Sequence, residues 1–132
     1  MRFFRKAALL ASSIVLATLS GEPHVLPLDM VAVFLAACGA GVRMVGADTP
    51  AREIAATARA KDVDAVGLSI SGIANRERAL HAVRELLGEL PRRAELWLGG
   101  AGAAEIAKRI PDPGVFLVES WEALEAKLAA MR

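Results

Sequence analysis

Ser12-Ser13-Ile14-Val15-Leu16-Ala17-Thr18-Leu19-Ser20-Gly21-Glu22-Pro23-His24 is the stretch on which the reading of this chain turns. An apolar run rich in β-branched residues breaks off into a loop with Gly and Pro, and a single histidine stands in that loop. The arrangement recurs twice. Ala65-Val66-Gly67-Leu68 runs into Ser69-Ile70-Ser71-Gly72, and Glu95-Leu96-Trp97-Leu98 runs into Gly99-Gly100.

Amphipathic segments separate these runs, and alternation of strand with helix is the sign of a parallel sheet. The pattern predicts strands at Ser12–Thr18, Val42–Val45, Ala65–Ser69, Glu95–Leu98 and Val115–Val118. The first helix is expected over Leu26–Cys38, ending at Gly39 and Gly41. The second follows Asp48-Thr49 with Pro50 in its first turn and runs to Ala60. The third has Asn75 as N-cap and ends near Leu87-Gly88. A short fourth helix ends at Arg109, and a fifth, capped by Ser120, runs to Met131. Five strands and five helices predict an α/β, flavodoxin-like (Rossmann-like) doubly wound sheet of order 2-1-3-4-5. Ligands of such sheets sit beyond the carboxyl ends of the strands, where the strand order reverses.

The 132 residues suit one domain, 1–132, and a single core. A hydrophobic content of 55% with mean hydropathy +0.40 fits central strands covered on both faces. Sixteen basic and 15 acidic residues leave a net charge of +1, which supports no nucleic-acid binding by this chain alone. One cysteine, Cys38, excludes an intramolecular disulfide and a multi-cysteine metal site; it reads as a small, buried apolar residue.

The spacing of the three loop pieces carries more information than any one of them. Written as Glu22-x-His24-x-x-Pro27, the first is separated from Ser69 by the segment 28–68, and the segment 72–98 lies between Ser71 and Gly99. This resembles the signature of the cobalamin (vitamin B12)-binding domain family, in which Asp-x-His-x-x-Gly, Ser-x-Leu and Gly-Gly follow one another at these same intervals. The resemblance spans residues 10–125. Three positions differ: Glu22 for Asp, Pro27 for Gly and Ser71 for Leu. Glu22 keeps a carboxylate one methylene longer, and Pro27 removes a backbone donor and any positive φ, so the loop is expected to take a different path.

The resemblance implies a corrinoid-binding module. In the family the loop histidine replaces the cofactor's own benzimidazole beneath cobalt, and the displaced nucleotide tail threads into the domain. That makes His24 the implied metal ligand, with Glu22 a partner on its other ring nitrogen that fixes tautomer and raises basicity. Ser69 is implied to donate to the buried benzimidazole nitrogen, Ser71 to replace an apolar wall of the slot, and Gly72 to let the loop pass close to the tail. Gly99 and Gly100 offer backbone without Cβ where a planar base must approach. A Gly-rich phosphate cradle is the rival, but no Lys-Ser/Thr follows and no Gly-x-Gly-x-x-Gly follows the first strand. His81 falls within the third helix and reads as a solvated residue; Trp97 and Trp121 read as packing aromatics.

The N-terminus offers two readings. Arg2, Arg5 and Lys6 precede the apolar residues 7–17, as in a secretory leader. The same residues include the first strand on which His24 depends, which favours a cytoplasmic protein. The run is too short and too interrupted by serine to span a membrane.

Gly21-Glu22-x-His24 looks most like the C-terminal domain of MerR-type cobalamin-dependent regulators. The expected role is therefore a sensory or regulatory corrinoid-binding module, noncatalytic alone, working with a separate helical or DNA-binding domain or protein. Two alternatives stand beside it: a corrinoid-carrying subunit of a methyltransferase or mutase, and a degenerate domain acting through protein contacts.

Overall fold

Residues 12–131 are described by a computed structural model. Five parallel strands form one sheet in the order β2-β1-β3-β4-β5, as the alternation predicts: β1 Ser13–Leu19, β2 Gly41–Thr49, β3 Ala65–Ser69, β4 Glu95–Gly99 and β5 Val115–Leu117. The helices between and after them are α1 Leu26–Ala37, α2 Ala51–Lys61, α3 Arg76–Glu89, α4 Ala103–Lys108 and α5 Trp121–Ala130. The basic residues and the early apolar residues of the leader-like reading lie outside the described residues.

Strand periodicity sorts the core into two layers. Val15, Ala17, Leu19, Val66, Leu68, Leu96 and Leu98 face α2, α3 and α4, where Ile54, Ala58, Leu80, Val83, Leu86 and Ile106 close the layer. Ile14, Leu16, Ala65 and Trp97 face the other way, toward Leu28 and Leu35 of α1 and Leu124 and Leu128 of α5. The side chains of β1, β3 and β4 are thus buried on both faces, which explains their near-continuous apolar sequence. Caps fix the helix starts as expected. The Asn75 side chain accepts the Arg78 N–H at 3.0 Å, and Ser120 Oγ accepts that of Ala123 at 3.0 Å.

Most element ends shift by about a residue, and three differences are informative. Pro50 is the N-cap of α2, one residue ahead of its first turn. Cys38 caps α1 and is half-buried, where full burial inside the helix was expected; its N–H reaches the carbonyls of Phe34 and Leu35. The largest change is β2, which continues four residues beyond Val45 to Thr49. Two irregularities in its pairing with β1 accompany Gly46 at φ +121° and Asp48 at φ +53°. That extension matters to the site. Asp48 Oδ1 accepts the Gly21 N–H at 2.7 Å, and Asp48 N–H donates to Thr18 Oγ1 at 2.9 Å.

Helix α1 carries a single charge, Asp29, and packs only one side on the sheet; Leu26, Met30 and Val33 are exposed. Among the described residues no helix is long and apolar enough to cross a membrane.

Candidate functional site

The β1–α1, β3–α3 and β4–α4 loops all leave the carboxyl edge of the sheet, so topology alone brings the three sequence pieces to one rim. The first loop is tightly held. Glu22 N–H donates to the Leu19 carbonyl at 2.9 Å, and the Thr18 hydroxyl donates to the Glu22 carbonyl at 2.5 Å. Gly21, at φ +88°, makes the turn that only glycine adopts freely. Pro27 sits in the first turn of α1, where its fixed φ suits a helix start, so the position occupied by Gly in the family pattern is here helical.

Glu22 and His24 form the expected pair. Glu22 Oε2 lies 2.8 Å from His24 Nδ1, while Oε1 accepts the backbone N–H of Ser71 at 2.7 Å. Burial pushes the Glu22 carboxyl up, but the Ser71 N–H and the His24 ring outweigh it and hold it below the usual carboxylate range. An ionised carboxylate only accepts, so the proton of the His24 contact belongs on Nδ1, and Nε2 of the neutral ring keeps its lone pair. The Glu22 side chain is 8% exposed and that of His24 53%, which leaves a buried anchor under an accessible ring.

Beside this pair a cavity of about 330 Å³ opens between the sheet, α1 and α5. Its floor is two cross-strand rows: Leu16, Gly67 and Trp97 in register, and above them Ser69 paired with Gly99. Pro27, Leu28 and Val31 wall it on one side, Trp121 and Leu124 on the other. A Cβ at Gly67 would sit 2.6 Å from Leu16 Cδ2, the end of a side chain that would have to turn aside.

The structure divides the expected residues into two groups. Glu22, His24 and Ser71 meet in the hydrogen-bonded cluster; Ser69, Gly99 and Gly100 line the cavity. Ser71 is not among the cavity's lining residues, so it is no part of a slot wall. Its N–H serves Glu22, and its buried hydroxyl makes no hydrogen bond among the described residues. Gly72 lines neither; its carbonyl holds Arg76 Nη2 at 3.0 Å. Gly99 and Gly100 differ in kind. A Cβ at Gly99 would meet Val118 Cβ at 3.7 Å, an ordinary contact, whereas one at Gly100, where φ is +98°, would collide with the backbone of Ile70. His81 is exposed on α3, away from the rim. Trp97 is 2% exposed and packs in the core as expected; Trp121, 43% exposed, meets Phe34 in a tilted contact at 4.9 Å between centroids, and both line the cavity. Sequence reasoning missed Gly67, Leu28, Val118 and Leu124. The glycine inside the Ala65–Leu68 run, two residues before Ser69 and hence on the same face, was the available signal.

An open parallel sheet with an accessible His–Glu pair and an apolar slot at its switch point defines a ligand-binding flavodoxin-like domain. The family model for the B12 binding domain matches residues 12–127, and the chain belongs to that family. Its cofactor is cobalamin. Among solved structures, the chain resembles a cobalamin-binding protein from Desulfitobacterium hafniense DCB-2, at 21% identity and TM-score 0.71 over 92% of this chain and 60% of that one. The methanol:cobalamin methyltransferase complex MtaBC from Methanosarcina barkeri gives 18% and 0.76 over 90% and 45%. The Methanosarcina barkeri monomethylamine corrinoid protein gives 20% and 0.68 over 93% and 61%. At these identities the likeness establishes the fold, and this chain spans between 45% and 61% of those chains. No curated protein matches.

The residues fit the cofactor. The half-exposed His24 ring, held through Nδ1 by the buried Glu22 carboxylate, offers one imidazole nitrogen to a metal that a macrocycle carries. The cavity is within the size range of small-molecule sites, about 300–1,000 Å³.

Proposed function

We propose that this domain binds cobalamin with His24 as the protein ligand to cobalt and with the nucleotide tail in the slot beside Ser69 and Gly99. The observation that carries this reading is the Glu22 carboxylate, which engages His24 Nδ1 and the Ser71 N–H at once and leaves the second imidazole nitrogen available. Glu22 orients the ring and raises its basicity. Ser69 supplies a hydroxyl to the tail, and Gly99 gives it room. A bound corrinoid would supply a cobalt able to carry an exchangeable group, with His24 as the residue that would hold it. The chain's own residues hold and orient the group.

The role we assign is a sensory or regulatory module, noncatalytic alone, that works in the cytoplasm with a separate helical or DNA-binding domain or protein. Gly21-Glu22-x-His24 supports it, and the use of residues 13–19 as a central strand favours the cytoplasm over a removable leader. The second reading, a corrinoid-carrying subunit of a methyltransferase, is favoured by the likeness to MtaBC and to the monomethylamine corrinoid protein. Mixing the protein with hydroxocobalamin and recording the visible spectrum tests the shared core. A spectrum with the tail displaced and histidine bound is expected, and an unchanged free-ligand spectrum overturns it. Methyl transfer on adding a methyltransferase partner would select the second reading.

A further inference from the structure

Resting on the cobalamin reading above, we infer that the slot chooses among corrinoids by the base at the end of the tail: it accepts a benzimidazole-type base and discriminates against a purine. The grounds are the hydrogen-bonding groups that the slot can offer. Its deep row, Leu16–Gly67–Trp97, presents hydrocarbon and an indole whose one donor is already used, Trp97 Nε1 to Glu95 Oε1 at 3.0 Å. Leu28 and Leu124, 2% and 1% exposed, close that depth from the two helices. Backbone groups add nothing there, because β3 and β4 are each paired on both sides. Ser120 and Glu119 belong to the exposed β5–α5 junction, and the Ser120 oxygen already takes the Ala123 N–H. Among the described residues that line the cavity, the Glu119 carboxylate and the Ser120 O–H stand at the mouth, and below it Ser69 alone has an uncommitted side-chain polar group.

One hydroxyl matches a benzimidazole, which has a single ring nitrogen free once it leaves cobalt and is hydrocarbon elsewhere. A purine adds an exocyclic amine and further ring nitrogens. Each would be taken from water into a wall that offers no partner, which costs binding energy. An apolar pocket rejects an added polar group only modestly, up to about a hundredfold. The expected preference is therefore tenfold to a hundredfold, and it resides in Trp97, Leu28 and Leu124 more than in Ser69.

Calorimetric titration of the apo-protein with three probes tests this: hydroxocobalamin, its adenine-tailed analogue, and cobinamide, which lacks the tail. Hydroxocobalamin should bind at least tenfold more tightly than the adenine form. Val118→Thr keeps the shape of a half-buried wall residue and adds a hydroxyl; it should narrow the gap while leaving the melting temperature within a few degrees. Equal affinity for the two tails, or a purine preference, overturns the inference and leaves the cobalamin reading intact. Cobinamide binding as tightly as hydroxocobalamin overturns it as well, by moving the tail out of the slot. No heat and no spectral change with any probe overturns both.

Discussion

Glu22 Oε1 accepts the backbone N–H of Ser71 at 2.7 Å, tying together two loops whose residues stand 49 positions apart. Through its other oxygen the same carboxylate holds His24 at 2.8 Å. Position 22 therefore serves the fold and the proposed metal ligand together, and its variants should show both effects.

Glu22→Gln leaves one carbonyl acceptor for two donors, and its amide turns a third donor toward them. Since hydrogen bonds to charged groups contribute roughly 1.5–3 kcal/mol, a loss of about 2 kcal/mol in urea-derived stability at pH 7 is expected. Hydroxocobalamin affinity should fall in the same variant.

The pH response follows from the sign of the Glu22 shift. Its folded-state pKa lies below the ordinary 4.5, so between the two values the unfolded chain binds more protons and stability rises with pH. The contribution is fully present above the unfolded value and is lost as pH falls through the folded one. Urea midpoints of wild type and Glu22→Gln should differ at pH 7 and converge in acid below that window. A constant difference would show that the charge is not what stabilises.

His24→Ala should abolish or greatly weaken the histidine-ligated cobalamin spectrum, while His81→Ala, on the exposed side of α3, leaves it unchanged. Indistinguishable spectra for wild type and His24→Ala would remove His24 from the metal.

The two glycines should separate. Gly100→Ala forces a side chain into a left-handed backbone and against the Ile70 carbonyl, so a loss of about 1–3 kcal/mol is expected in thermal or urea melts. Gly99→Ala has room for its methyl and should keep the fold, but it narrows the slot; cobalamin affinity should drop about tenfold, 1.4 kcal/mol. Calorimetry on both variants checks the pair.

A 21–132 fragment lacks β1, which pairs with β2 on one side and β3 on the other, and should be insoluble or fail to melt cooperatively. A stable, cooperatively melting 21–132 protein would defeat the cytoplasmic assignment.

Much of this architecture was legible because the local signals agree. Ala65–Ser69 is an apolar run between an aspartate and a serine–glycine loop, and the strand occupies those residues. Asn75 and Ser120 cap helices where their side chains stand ahead of amphipathic runs. The end of β2 was illegible: a left-handed Asp48 inside a paired strand contradicts local preference and is fixed by Thr18 and Gly21, 30 and 27 positions away. Ser71 illustrates a second limit. Spacing located it at the rim, but only three-dimensional placement shows that it contributes an N–H to Glu22 and no wall to the slot. Gly100 illustrates a third, because a glycine needed by a ligand and one needed by a neighbouring carbonyl look alike in sequence.

The chain of contacts from Asp48 through Thr18 to Glu22, and on to Ser71 and His24, is made entirely by this chain's own groups. The setting of the imidazole is therefore inherited from the far end of β2, a strand that contributes no residue to the three loop pieces, and a sequence change there would be felt at the ring.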